Sequence, residues 1–180
     1  MTSAIFDATG PRVAIRRVCR ADYDELTALS RESAELHRRW LSDRESTVEA
    51  FENYLMRFEQ PGYEGFVICL RDTGAIVGGV NINNIARGTL QSGILGYTAY
   101  TSTTGHGYVT EGLGLVVGLA FGDLGLHRLE ANIQPANTPS LNVVKRLGFR
   151  YEGLSLAFQF IDGDWRDHER WAITKDAARQ

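Results

Sequence analysis

Cysteine is scarce: Cys19 and Cys69 are the only two in 180 residues and lie far apart. So sparse a pair supports neither a disulfide framework nor a zinc-ligand spacing, so two buried thiols and no metal are expected. Long apolar runs are also missing. Met1 to Gly10 lacks the apolar core of a signal peptide, and no uninterrupted stretch approaches the roughly 20 residues of a membrane span. The expectation is a soluble, cytoplasmic protein with no membrane attachment. Nor is there an excess of one charge: 19 Lys and Arg against 22 Asp and Glu leave a net charge of -3. That removes a general attraction to nucleic acid, whose binders usually carry a basic face, so no direct nucleic-acid binding is expected. Repeats, low-complexity tracts and interdomain linkers are absent as well, and the length is that of one ordinary domain, 1–180.

What is present is 43% hydrophobic, enough for a substantial core. Residues 13–17 alternate apolar and basic and read as an edge strand, and Arg20-Ala21-Asp22 offers an acidic helix start. Leu26, Leu29, Ser33, Leu36 and Trp40 then recur at helical spacing, predicting one helix that ends near Trp40. Ser46-Thr47-Val48-Glu49 has the spacing of a capping box, with Val48, Phe51, Leu55 and Phe58 on one side of a second helix. Two β-rich runs, 66–70 and 76–82, flank Asp72-Thr73-Gly74 and predict a hairpin, followed by an antiparallel neighbour over 90–98. Leu113, Val116, Ala120 and Leu124 mark a later helix capped at Gly125, and 128–133 reads as a strand parallel to the one before it. Asn137-Thr138-Pro139-Ser140 opens a last helix ending at Gly148, and 149–161 and 165–174 close the chain as a hairpin around Asp162-Gly163-Asp164.

Between the strand at Gly96-Tyr97-Thr98-Ala99 and the helix entered at Tyr108 lies Thr104-Gly105-His106-Gly107. Glycines let the backbone approach a ligand, and the unpaired amides of the next helical turn point at the same spot, a geometry that suits phosphate. It is not a P-loop, which needs Gly-Lys-Ser/Thr, and Thr110 stands where a dinucleotide fingerprint has its third glycine.

The loop resembles the coenzyme A pyrophosphate loop of the GNAT superfamily of N-acetyltransferases, Arg/Gln-x-x-Gly-x-Gly/Ala, laid here on Thr104 to Val109. Thr104 replaces the usual Arg or Gln and Val109 the small last residue, while the continuation Gly-Tyr-x-Thr-Glu is typical of the family. Asn137-x-x-Ser140-x-x-Val143-Val144-x-x-Leu147-Gly148-Phe149, then Glu152-Gly153 and Asp162-Gly163-Asp164-Trp165-Arg166-Asp167-His168, are similar to the branch that includes the RimJ/RimL-type ribosomal-protein N-terminal acetyltransferases. The resemblance runs from about Ile76 to Ile173. It implies a single α/β GNAT domain with a mixed, mostly antiparallel central sheet, splayed strands and flanking helices.

It also implies the chemistry: an amine attacks the thioester of acetyl-coenzyme A directly in a ternary complex, charge gathers on the carbonyl oxygen, and a thiol leaves. Ser140 is the implied donor to the departing sulfur and Asn137 the residue that holds the pantetheine arm; on pattern alone they are a first-turn residue and a helix cap. Tyr97, Thr98 and Ala99 are the implied main-chain contacts of that arm. Thr104, Gly105, His106, Gly107, Tyr108 and Val109 hold phosphate, and Lys145 reaches the nucleotide end. Trp40, Asn81, Asn83 and Gln159 line the acceptor pocket. Carboxylates that the family uses as base fall on Ile94 and Gln159, so both are missing, and Glu35, His37 and Glu64 are the remaining candidates against solvated surface roles. His127 and His168 read as structural. The missing base favours a weakly basic amine, a protein N-terminus, over a small-molecule amine; an acetyl-coenzyme A-binding module without turnover is the alternative of another class. Exposed hairpins allow a homodimer by analogy.

Overall fold

The computed structural model describes residues 6–41 and 47–179. Among them an eight-stranded sheet and five α-helices follow the order β1 (Ala8–Thr9), β2 (Val13–Arg17), α1 (Tyr23–Glu32), α2 (Ala34–Arg38), α3 (Val48–Arg57), β3 (Glu64–Leu70), β4 (Ile76–Ala86), β5 (Ser92–Ala99), α4 (Tyr108–Phe121), β6 (Arg128–Ile133), α5 (Thr138–Arg146), β7 (Arg150–Ile161) and β8 (Asp164–Thr174). The sheet order is β1-β2-β3-β4-β5-β6-β8-β7. Every neighbouring pair is antiparallel except β5 and β6, which are parallel and joined through α4. No helix among the described residues is long and apolar enough to cross a membrane.

Both faces of the sheet are covered, so its central strands read as continuous apolar runs rather than alternating ones. In β3, Phe66 and Ile68 join a core with Leu113, Val116 and Ala120 of α4 and Leu141 and Val144 of α5. Val67 and Cys69 point the other way and pack with Tyr100 against Leu26 and Leu29 of α1. Helix α4 lies close on β3 at Gly112, where an added Cβ would sit 2.6 Å from Ile68 Cδ1. A larger residue there would push the helix off the sheet.

Four sequence expectations are corrected. β2 is interior, because the short β1 pairs along its outer side and β3 along its inner one. The helix expected to run to Trp40 breaks at Ser33, which is buried; its Oγ accepts from the Thr101 amide at 2.9 Å, tying the helical layer to the loop after β5. α4 ends at Phe121, before Leu124, because Gly122 leaves helical geometry (ψ -87). Cys69 is buried as expected, but Cys19 is exposed. The α3 cap is Thr47, whose Oγ1 accepts from Ala50 N at 3.1 Å; Ser46 of the expected capping motif lies outside the described residues.

Candidate functional site

A cleft of about 1620 Å³ runs from the loop before α4 past the ends of β5 and β6 to α1, α2 and α3. At its first end Gly105 and Gly107 both sit at φ 79°, and Gly107 is the N-cap of α4. That left-handed conformation is cheap only for glycine. No side chain caps the helix, so the amides of Tyr108, Val109 and Thr110 lack acceptors among the described residues. An acid in the first turn would oppose an anion, and Glu111 is there. Its carboxylate is turned aside: it accepts from Arg12 N at 2.7 Å, Arg12 Nε at 2.8 Å and Val13 N at 3.1 Å. Burial pushes its pKa up, but these bonds outweigh that and hold it below the usual carboxylate range. Arg12 also donates to the His106 carbonyl at 2.9 Å and lies over the Tyr108 ring. It brings a cation to the loop that has Thr104 in place of the family's Arg or Gln.

Strand register makes the middle of the cleft. β5 pairs with β6 only over Ser92–Leu95, matched to Arg128–Ala131. Beyond Leu95, β5 stays with β4 as far as Ala99, while β6 stays with β8 as far as Ile133. The two parallel strands therefore part at Gly96, and their main-chain groups face a gap. Asn132 lines this gap with a buried Oδ1 that has no hydrogen-bond partner. A row of free helical amides, a splayed strand pair and an orphaned buried acceptor together fit an anionic head followed by an amide-bearing arm.

Side-chain alternation assigns the two faces of the gap. Tyr97 points toward α5, where its hydroxyl is 2.6 Å from Ser140 Oγ and 3.1 Å from the Ser140 carbonyl. Asn137 caps that helix through its Oδ1, which accepts from Ser140 N at 3.2 Å, and so sets the position of the serine. Burial pushes the Tyr97 phenol up to about 12, against the opposing Ser140 hydrogen bond, so it stays protonated at neutral pH. The sequence reading gave Tyr97 a main-chain role only.

On the other face Asn81 and Asn83 of β4 stand opposite Gly96 and Ile94 of β5. Tyr54 of α3 donates to Asn81 Oδ1 at 2.9 Å, and Arg57 donates to Asn83 Oδ1 at 3.0 Å. His37 Nε2 donates to the Ala99 carbonyl at 2.7 Å, so it is no solvated residue. The β7–β8 hairpin carries a bulge between Ser155 and Gln159, with Ala157 at φ 47°, which turns Phe158 and Gln159 into the cleft. His168 also lines it and is 3% exposed. Its Nδ1 lies 3.0 Å from the Arg166 carbonyl and must donate, leaving Nε2 as the acceptor of a neutral ring. Burial, opposed by that bond, holds its pKa below the usual histidine value.

The structure brings Tyr97, Thr98, Ala99, Thr104, Gly105, Gly107, Tyr108, Val109, Asn137, Ser140, Trp40, Asn81, Asn83 and Gln159 to one cleft. It does not bring His106 or Lys145 there. The His106 ring stacks on Tyr108 and donates to the Thr104 carbonyl, and Lys145 places its Nζ 5.5 Å from the Trp171 ring centre, while Arg146 and Asn142 line the cleft. Thr104 spends its hydroxyl on the Thr101 carbonyl. Glu35 pairs with Arg38 and Glu64 with Arg17, so neither reaches the cleft lining. Arg12, Arg57 and Asn132 were missed, and His168 was read as structural only, since nothing local marks their place beside the cleft; only a distant strand or loop gives each its place.

A family model described as an acetyltransferase (GNAT) domain matches residues 12–150. The probable N-acetyltransferase YjcK of Bacillus subtilis is 37% identical over 120 residues, 67% of this chain and 66% of that protein. The ribosomal protein uS5-alanine N-acetyltransferase of Escherichia coli is 35% identical over 103 residues, 57% of this chain and 53% of that protein. These matches therefore span less than two thirds of either curated relative. Among solved structures, Mycobacterium smegmatis RimJ in complex with CoA-disulfide superposes with a TM-score of 0.88 at 30% identity, covering 95% of this chain and 88% of that one.

Proposed function

The chain belongs to the GNAT acetyltransferase family, and we propose that it transfers the acetyl group of acetyl-coenzyme A to the α-amine of a protein N-terminus. The observation that carries the choice of acceptor is the open far end of the cleft. There a groove of about 400 Å³ shares Trp40, Leu41, Phe158 and Gln159 with the cleft and continues to the exposed Phe160 and Trp165. A polypeptide has somewhere to continue; a small amine has no use for it. The lack of a carboxylate among the described residues of the cleft lining supports the same choice. An α-amine has a pKa of about 8 and is partly neutral at physiological pH, whereas lysine at about 10.4 needs a stronger base.

When bound, the coenzyme supplies a thioester open to attack and a sulfur that leaves. This chain's residues do the rest. The amides of Tyr108, Val109 and Thr110, with Arg12 behind them, hold the anionic end at the helix N-terminus. The main chain of β5 freed beyond Leu95 and the side-chain Oδ1 of Asn132 fix the arm in the gap, while the Ala99 carbonyl is held by His37. The Tyr97 phenol has two acceptors on Ser140, and when it donates to Oγ it frees the serine hydrogen for the departing sulfur. Since a free thiol has a pKa of about 8.5, one such donor suffices. His168, neutral and with Nε2 open, takes the amine proton.

The test is release of free thiol from acetyl-coenzyme A by the purified protein with short peptides, followed by mass spectrometry of the products. Acceptor-dependent release with free but not blocked N-termini is expected. Turnover confined to small amines would move the acceptor to metabolites, and coenzyme binding with no acceptor-dependent release would leave a binding module.

A further inference from the structure

The acceptor half of the cleft carries a cation with no carboxylate partner among the described residues. Among the described residues no Asp or Glu lines any part of the cleft, while Arg57, Arg146, His37 and His168 do. Arg57 is half-buried on α3 among three rings, with its guanidinium carbon 5.9 Å from the Tyr54 ring centre, 5.5 Å from Phe58 and 5.4 Å from Tyr63. One terminal nitrogen donates to Asn83, and Nε is buried without an acceptor. Arg57 has no ion-pair partner among the described residues. Arg16 shows what the same chain does with a guanidinium meant only for structure: both its terminal nitrogens are locked to the buried Asp22, at 2.8 and 2.7 Å.

Rings hold the Arg57 head in place, the Asn83 amide orients it, and the described lining residues offer it no anion. Asn83 in turn reaches the Ile94 carbonyl at 3.4 Å, and its Nδ2 lies 3.5 Å from where a Cβ on Gly96 would stand. The cation is thus one amide side chain away from the point where β5 and β6 part. We propose that Arg57 selects acceptors bearing a carboxylate close to the reacting amine, and that in an N-terminal substrate this is an acidic side chain within its first few residues. An extended residue spans about 3.3–3.6 Å, so residues two and three are the ones in reach. The same charge works against polycationic amines, which would place a second positive group beside Arg57 with no carboxylate to receive it. This inference rests on the N-terminal reading above.

Pentapeptides identical except for Asp, Ala or Lys at residue two or three provide the test, with free glutamate and aspartate as the small-molecule arm. For the wild-type protein kcat/KM is expected to rank Asp over Ala by about tenfold and Ala over Lys, the scale of one charge-assisted hydrogen bond from the remaining terminal nitrogen. Arg57→Gln should bring Asp and Ala within twofold of each other, and Arg57→Lys should keep the order with a smaller ratio, both with an unchanged KM for acetyl-coenzyme A. The wild-type ranking decides the matter even if a variant fails to fold. Turnover of all three peptides without ranking overturns the inference and leaves the N-terminal reading standing. Turnover of the free amino acids but of no peptide keeps the carboxylate contact and overturns the N-terminal reading. No turnover of any of these acceptors overturns both.

Discussion

The two halves of the cleft are built from different material. The half we assign to the coenzyme is main chain: helix amides behind Gly107 and strand edges freed where β5 leaves β6. The half we assign to the acceptor is side chain: Tyr54, Arg57, Asn81, Asn83 and His168, contributed by a helix and strands far apart in sequence. Main-chain geometry tolerates change in its side chains: with Thr104 and Val109 in the loop, Gly107 still caps α4 at φ 79° and leaves the first-turn amides without a side-chain cap. A side-chain pocket changes character with each substitution, so one scaffold can keep its cosubstrate while its acceptor varies.

The sharpest way to separate the halves is to remove the group at their junction. Ser140→Ala should lower kcat about 100-fold, on the order of 3 kcal/mol, while the acetyl-coenzyme A Kd from calorimetry stays within twofold. A fall of less than fivefold would show that the sulfur leaves without this serine. Gly107→Ala attacks the main-chain half, because a side chain at φ 79° costs roughly 1–2 kcal/mol. The Kd for acetyl-coenzyme A should rise about tenfold, and the acceptor KM should not follow it. If both rise together, the halves are not independent.

His168→Gln attacks the acceptor half and should lower kcat several-fold, a modest loss because an α-amine is already partly neutral. Stability supplies a second measurement. The folded pKa of His168 is depressed. Its contribution is therefore full above about pH 6.5 and declines as the pH falls from there to the folded value, since the unfolded chain takes a proton that the folded chain refuses. Urea titrations should show that decline in the wild type and lack it in the variant. The smallest effect belongs to Glu111→Gln, which weakens the tie between Arg12 and the first turn of α4 and should cost about 1 kcal/mol near neutral pH. Because the folded pKa of Glu111 is lowered, the wild-type advantage is present above the unfolded value of about 4.3 and is lost as the pH falls through the folded one. An advantage that persists in acid would mean that Arg12 does not depend on the charge.

Legibility followed the same division. The hairpin of β3 and β4, the strand β6, the Asn137 cap and the glycine loop were all readable, because each is specified by neighbours within a few residues. The break at Ser33 was not readable: a serine at a core position in an apolar stripe looks like any other until the Thr101 amide, 68 positions away, appears against it. His168 was taken as structural because a histidine in a strand carries no local mark of the surface it faces. The bulge that turns Phe158 and Gln159 inward depends on how β7 meets β8, where Ser155 and Gln159 pair with His168 and Arg166 and two extra residues must loop out.

By itself, then, the sequence determined most of the elements, though not the break at Ser33 or the end of α4, together with the family and the backbone conformation of the loop, because periodicity, caps and glycines act over one or two turns of chain. The tertiary structure alone decided that Tyr97 meets Ser140, that Arg12 stands behind the loop, and that Arg57 faces a cleft whose described lining residues include no carboxylate. Those meetings depend on strand register and on helices crossing a sheet, and a shift of a single residue in the register would turn each of the strand side chains involved to the opposite face.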